Sequence, residues 1–268
     1  MRDGRLYNNN QSPLAKFDAM AAARGILSKT REVQQTKHDS LAVSWSLWDG
    51  HCDAWANAAI SSPEPKRPVI KNGQTFLLSD IKALLILKYA SYPIDVYGRT
   101  YRGSQETDGE IQDVRPEAFH RLVEHFIGEK EMAIGVDDDP EPAIWNKPMA
   151  SMRWKVTADP DNKNAFIVNA FPMLINNRNE PSEALTDPNA FDRNDIKRPK
   201  WEYRLFYDPS DVKDGKFRVI YGEWINGSRI NHPDVVFVPK PGSTPNPRNS
   251  EIAKHLNLID EIVSESLR

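Results

Sequence analysis

Cysteine is almost missing from this chain: Cys52 is the only one among 268 residues. One thiol cannot pair within its own chain, so an intramolecular disulfide framework is excluded, and a four-thiol zinc site with it. Long apolar runs are missing too. No stretch approaches the roughly 18 to 20 apolar residues of a membrane-spanning helix. The opening stretch MRDGRLYNNNQSPLAKF lacks the apolar centre of a signal peptide. Nor does one sign of charge dominate, because the net charge is -3 and Lys and Arg alternate with acids throughout. Such a balance supplies no field to recruit nucleic acid or acidic lipid, so no nucleic-acid partner and no membrane span are expected. Internal repeats and long low-complexity tracts are absent as well. Composition leaves localisation open, since one unpaired Cys suits a reducing compartment and an exported or trimmed protein equally.

What is present has two textures. Residues 1–40 are polar, apart from an Ala-rich piece, FDAMAAARGILS, that predicts a helix ending near Gly25 or Ser28. This segment is expected to be an appendage or linker, with residues 41–268 forming a single domain. CDAWANAAI predicts a helix stopped by the prolines of SSPEPKRP. Asn72–Gly73 predicts a tight turn between two short strands. Ser79 is the N-cap candidate for the helix DIKALLILKYA, in which Ile81, Leu84, Leu85 and Lys88 follow helical spacing. Pro116 opens a further helix, RPEAFHRLVEHFIGEKE, with Phe119, Leu122, Val123 and Phe126 as its apolar stripe. MAIGV then has the composition of a strand. From about residue 150 the chain turns to short aromatic and β-branched runs separated by turn material, which predict antiparallel strands. The tail EIAKHLNLIDEIVSESL predicts an amphipathic helix. Helices first and sheet afterwards give an α+β fold, N-terminal helices packed on an antiparallel sheet with a C-terminal helix.

Cys52 opens the predicted helix of small residues, just after Gly50 and His51. If the helix begins there, its unpaired N–H groups and positive dipole end stabilise a thiolate, lowering the thiol pKa from about 8.5 toward neutrality or below. Small residues at 54, 56, 58 and 59 let the helix bury closely and hold the sulfur at a cleft edge. The bland alternative is a buried, inert thiol that packs as a small hydrophobe. A nucleophilic thiolate needs a proton partner, usually His. There are six histidines. His51 is adjacent and points about 100° away on a helix. His38 lies in a charged segment, His255 among polar tail positions, and His232 in the turn NHPD, where it either bonds the loop or lines the cleft. His120 and His125 share one predicted helix about 140° apart, so only one of them can face the thiol. His120 follows Phe119 and is the choice; its bland alternative is a partly exposed ring with no task. For the residue that orients the imidazole, Asp137 at the end of MAIGV is the candidate. The run DDDPEP reads first as a solvated turn, second as the source of that acid, and third as a calcium site of oxygen ligands.

Several motifs, in one order, resemble the oomycete-elicitor type of transglutaminase, secreted plant-pathogen enzymes with bacterial relatives. VSWSLWDGHCDAWANAAISSPEPKRPVIKNGQTF is similar to the family's nucleophile segment, LLSDIKALL to the next helix, YGRTYRG to its Gly-Arg loop and RPEAFHRLVEHFIG to its Phe-His helix. AIWNKPMASMRWKV resembles the Trp-Asn-Gln-Pro segment that plants detect, with Lys147 in place of Gln. GEWINGSRINHPDVVFVPKP resembles the closing motif. Together they span about 41 to 240. The chain departs from the family in having no cysteines to spare for disulfides, and in carrying His125 where relatives often have Asn.

The resemblance implies a protein-glutamine gamma-glutamyltransferase with a papain-like or mirror-related Cys/His core. Cys52 takes the nucleophile role, His120 that of the Phe-His histidine, and Asp137 that of the acid. Trp45, Trp48 and Trp145 are expected as aromatic walls or oxyanion donors, and Arg99 and Asn146 as binding residues or structural hydrogen-bonders. The implied partners are proteins bearing glutamine and lysine. The chemistry requires no cofactor; calcium enters only through the third reading of DDDPEP. The family favours a secreted or delivered effector. Three alternatives stand beside this reading: a cysteine peptidase, a pure glutamine deamidase, and a non-catalytic recognition protein displaying WNKP.

Overall fold

The computed structural model describes residues 9–42, 51–99, 113–138, 146–175, 196–213, 215–240, 244–245 and 251–268, without the side chains of 37–42, 52 and 239. Six α-helices are described: α1 (Pro13–Ala23), α2 (Thr30–Ala42), α3 (Cys52–Ser61), α4 (Leu78–Ala90), α5 (Pro116–Leu122) and α6 (Leu256–Ser266). The described strands are β1 (Val69–Lys71), β2 (Gln74–Phe76), β3 (Ile94–Gly98), β4 (Ile134–Asp137), β5 (Asn146–Ala158), β6 (Ala165–Ile175), β7 (Ile196–Lys197), β8 (Trp201–Tyr207), β9 (Val219–Trp224) and β10 (Val235–Pro239). The chain divides into two compact units: residues 1–94, 178–192 and 239–268, and residues 95–177 and 193–238.

The first unit is helical. Pro13 at its first turn starts α1, and Gly25 at φ 72° ends it, with Ile26 N–H donating to Ala21 O and Gly25 N–H to Ala22 O, both at 2.9 Å. Leu14, Phe17, Met20 and Ala21 of this helix lie in the same buried cluster as Ile81, Leu84 and Leu85 of α4 and Leu258, Ile259 and Ile262 of α6. Burying each such Leu, Ile, Phe or Met side chain stabilises the fold by roughly 1.5–3 kcal/mol. The helix expected to be an appendage therefore supplies part of this unit's core. Inside the unit, Lys16 of α1 pairs with Asp80 of α4 at 2.6 Å, both side chains more than nine-tenths buried. The other bond of Asp80 caps α4, accepting from Leu77 N–H at 2.8 Å, so the cap is Asp80 and not Ser79. Asp18 of α1 likewise closes the start of α2, accepting from Thr30 N–H at 3.1 Å, Thr30 Oγ1 at 2.7 Å and Arg31 N–H at 3.0 Å. Asn72 and Gly73, at φ 47° and 77°, make the tight turn between β1 and β2.

The second unit is built on an antiparallel sheet of order β3-β10-β4-β5-β6-β8-β9, with β7 added to β6. Its core face carries Trp201, Tyr203 and Leu205 of β8 with Val168 and Ala170 of β6. On that face sits α5, whose Phe119 is wholly buried and meets Trp201 edge-on at 5.5 Å between ring centres and Tyr203 at 6.3 Å. Gly222 of β9 makes room for the helix start: a Cβ there would lie 2.8 Å from Pro116 Cβ. The single helix predicted from 116 onward is α-helical only to Leu122 and continues as a π-helix over Val123–Glu129. Wide closing bonds mark the change, Lys130 N–H to His125 O at 3.0 Å and Met132 N–H to Phe126 O at 2.8 Å.

Candidate active site

In the first unit, α3 begins at Cys52, with His51 as its N-cap residue. Trp55 N–H donates to His51 O at 2.7 Å, so the backbone N–H of Cys52 itself belongs to the orphan set at a helix start. Ala54 and Ala56 are about 1% exposed and Ala58 is buried, which lets α3 lie close against α4. Trp55 packs partly against the core of this unit, as expected of a Trp inside a helix. His51 Nε2 lies 3.2 Å from Gln34 Nε2 of α2. Trp45, Trp48 and Trp145 lie outside the described residues.

In the second unit, α5 presents His120 beside Tyr203 of β8. The Tyr203 hydroxyl and His120 Nδ1 are 2.7 Å apart, Nε2 lies 3.4 Å from Glu124 one turn on, and Trp154 of β5 stacks on the ring at 4.4 Å. Burial pulls the imidazole pKa below its ordinary 6.5, against the opposing pull of Glu124. Burial, then Glu124, pushes the Tyr203 hydroxyl well above 10.0, so it stays protonated and can donate to Nδ1. His120 is thus a neutral ring in neutral solution, and with Nδ1 accepting from Tyr203 its own proton sits on Nε2, toward Glu124. His125, the rejected neighbour, is exposed and bonds Glu129 at 2.9 Å.

Asp137 is 2% exposed at the end of β4, its residue opposite Asn146 of β5 and Val235 of β10. The groups at the two nitrogens of His120 are Tyr203 and Glu124, while the backbone O of Asp137 accepts from Asp234 N–H at 3.0 Å. Asp138, 1% exposed, is held by Lys147 and, at 2.7 Å, by Lys197. The residue that replaces Gln in the WNKP segment thus supplies a countercharge to a buried carboxylate. Two ammonium groups already answer that carboxylate, which leaves it poorly suited to a calcium ion. Asn146 is buried at the start of β5, and Arg99 is exposed just after β3.

One grouping escaped the sequence reading. His232 Nε2 lies 3.1 Å from Asp113 Oδ2, and Asp234 joins them, one ligand-type atom from each lying within 4.8 Å of the others. Trp224 stacks on the His232 ring at 4.8 Å and 23°. The local signal was NHPD. Nothing in the sequence joined it to an aspartate 119 positions earlier.

Helices around a Cys-initiated helix, followed by an antiparallel sheet carrying buried histidines, make up a transglutaminase-type fold. The crystal structure of the GP42 transglutaminase from Phytophthora sojae matches it with a TM-score of 0.66, covering 99% of this chain and 86% of that one at 21% identity. At that identity the likeness is one of fold. The family follows from the sequence: the model of the transglutaminase elicitor family matches residues 27–176, more than half of the chain, and the chain belongs to that family. No curated protein matches the sequence.

Proposed function

We propose that the protein is a protein-glutamine gamma-glutamyltransferase working through Cys52 and His120. The observation that carries this reading is the start of α3 at Cys52, in a chain of the transglutaminase elicitor family. Neutral His120 takes the thiol proton on Nδ1, in exchange for the hydrogen bond from Tyr203, and the thiolate attacks the carboxamide carbon of a protein glutamine. The developing oxyanion is met by backbone N–H at the helix start, Cys52's own among them. The imidazolium returns its proton to the leaving nitrogen, ammonia departs, and a thioester remains. A lysine amine, deprotonated by His120, then attacks the thioester carbonyl and releases Cys52 as thiol, leaving an isopeptide bond. Water in place of the amine yields glutamate. Asp137 is the third member assigned by motif order. Trp45, Trp48, Trp145, Asn146 and Arg99 are assigned to substrate contact, and no step requires a cofactor.

One observation favours a second assignment of the base. Asp113 holds one nitrogen of His232, and the other, Nδ1, is buried without a hydrogen-bond partner. A carboxylate fixing the ring while the opposite nitrogen exchanges protons is the arrangement of a triad histidine.

The test is incorporation of a fluorescent primary amine into a glutamine-bearing protein. Wild type should label it and Cys52→Ala should not, with unchanged circular dichroism. Ammonia release without labelling would mean deamidation alone, main-chain cleavage would mean a peptidase, and labelling that survives Cys52→Ala would end the proposal.

A further inference from the structure

Asp113, His232 and Asp234 form a compact group of titratable side chains that does not include His120. Asp113 is partly buried, and His232 and Asp234 are 7% and 6% exposed. One atom from each lies within 4.8 Å of the other two. A tetrahedral zinc ion with N and O ligands at about 2.0–2.2 Å needs ligand atoms a little over 3 Å apart, so modest inward shifts would close the group around a cation. His232 turns Nε2 to it, 3.1 Å from Asp113 Oδ2, and the ring that carries this nitrogen is nine-tenths buried.

The scaffold around these residues is built to hold their backbones in place. Val114 N–H, next to Asp113, donates to Asp234 O at 2.9 Å, and Asp234 N–H donates to Asp137 O at 3.0 Å. Trp224 stacks on His232 and also donates from its indole N–H to Val114 O at 3.1 Å, tying the Asp113 segment to the His232 turn. Gly98, at φ 88°, lies where a Cβ would stand 2.2 Å from Asp234 O and 2.7 Å from Val114 N. β3 can therefore pass directly beneath both segments. Such outer contacts fix ligand orientation in metal sites.

From this geometry we infer that Asp113, His232 and Asp234 form a site for one divalent cation of the zinc and cobalt class. An imidazole among the ligands selects against calcium and magnesium, which take oxygen. Three protein ligands leave one position of a tetrahedron open to water. The inference rests on the reading in which His120 serves Cys52, because a His232 that shares a cation with Asp113 is not free to act as a triad base.

Isothermal titration with Zn2+ in chelator-treated buffer tests it, using the full chain with Cys52→Ala so that no thiol competes. One equivalent should bind, and Asp234→Asn and His232→Gln should each weaken binding by at least about tenfold. Asp234→Asn preserves shape, and its melting temperature without metal should match that of the parent. Co2+ should give visible bands of a tetrahedral N/O site, absent in His232→Gln. Affinity unchanged in both variants, or no binding of one equivalent by the parent, would overturn the inference.

Discussion

In the first unit, segments far apart in the sequence meet: α1 packs on α4, α4 packs on α6, and a buried Lys16–Asp80 pair joins α1 to α4. In the second, much of the contact is between strands close in sequence, β4 with β5, β5 with β6 and β8 with β9, and buried carboxylates are answered by cations, Asp138 by Lys147 and Lys197 and Asp159 by Arg204. The first unit draws distant helices into one apolar cluster, while the second runs along hydrogen-bonded ladders. The residues proposed for chemistry divide in the same way, Cys52 belonging to the first unit and His120 and His232 to the second. A substitution in the first unit outside Cys52 should therefore register mainly as stability, and one at the histidines mainly as turnover.

The largest expected effect separates the two histidines. His120→Ala should lower amine incorporation by about 10^2–10^4-fold with the fold intact, and His232→Ala should change it far less. The reverse result, measured as kcat/KM, would move the base to the Asp113 pair. Next comes the buried ion pair. Asp80→Ala strands the Lys16 ammonium and uncaps α4, and should cost about 3–5 kcal/mol in urea unfolding. The matching cut in the second unit, Lys197→Ala, removes a half-exposed partner and leaves Lys147 on Asp138, so about 1 kcal/mol or less is expected. Equal losses would erase the contrast between the units. Gly98→Ala forces a side chain into left-handed backbone against Asp234 O, and a loss of roughly 1–3 kcal/mol should appear in the same unfolding measurement. The smallest effect is in pH. His120 has a folded pKa below the ordinary 6.5, so the unfolded chain binds the proton more readily. Stability from this ring is complete above that value and declines as pH falls through it toward the lower folded pKa. Melting temperatures should show this decline in wild type and a shallower one in His120→Gln.

Local signals carried much of the fold into the sequence. Asn72–Gly73 announced its turn because positive φ at two successive positions favours those residues. Gly25 marked the end of α1, and the alternating aromatic runs after residue 150 marked β5 to β9. Signals that depend on distant partners stayed hidden. Nothing in FDAMAAARGILS tells that Phe17 and Met20 will share a core with residues of α4, or that Asp18 will cap another helix. The change to a π-helix at Val123 leaves no mark on a stripe read at helical period. In the candidate site, the helix starting at Cys52 was legible from Gly50 and the small residues after it. The setting of His120 between Tyr203 and Trp154, and the joining of Asp113 to His232, depend on strand pairing and helix placement that a linear reading does not supply.

The core of the first unit includes Ile252 and the apolar face of α6. During synthesis those residues leave the ribosome only after the entire sheet-bearing unit has been made. α1 and α4 must wait with part of their apolar surface uncovered while the inserted unit forms, and only then can the outer unit close. A nascent chain stalled before residue 252 should therefore hold a protease-resistant sheet beside helices that are still readily cleaved.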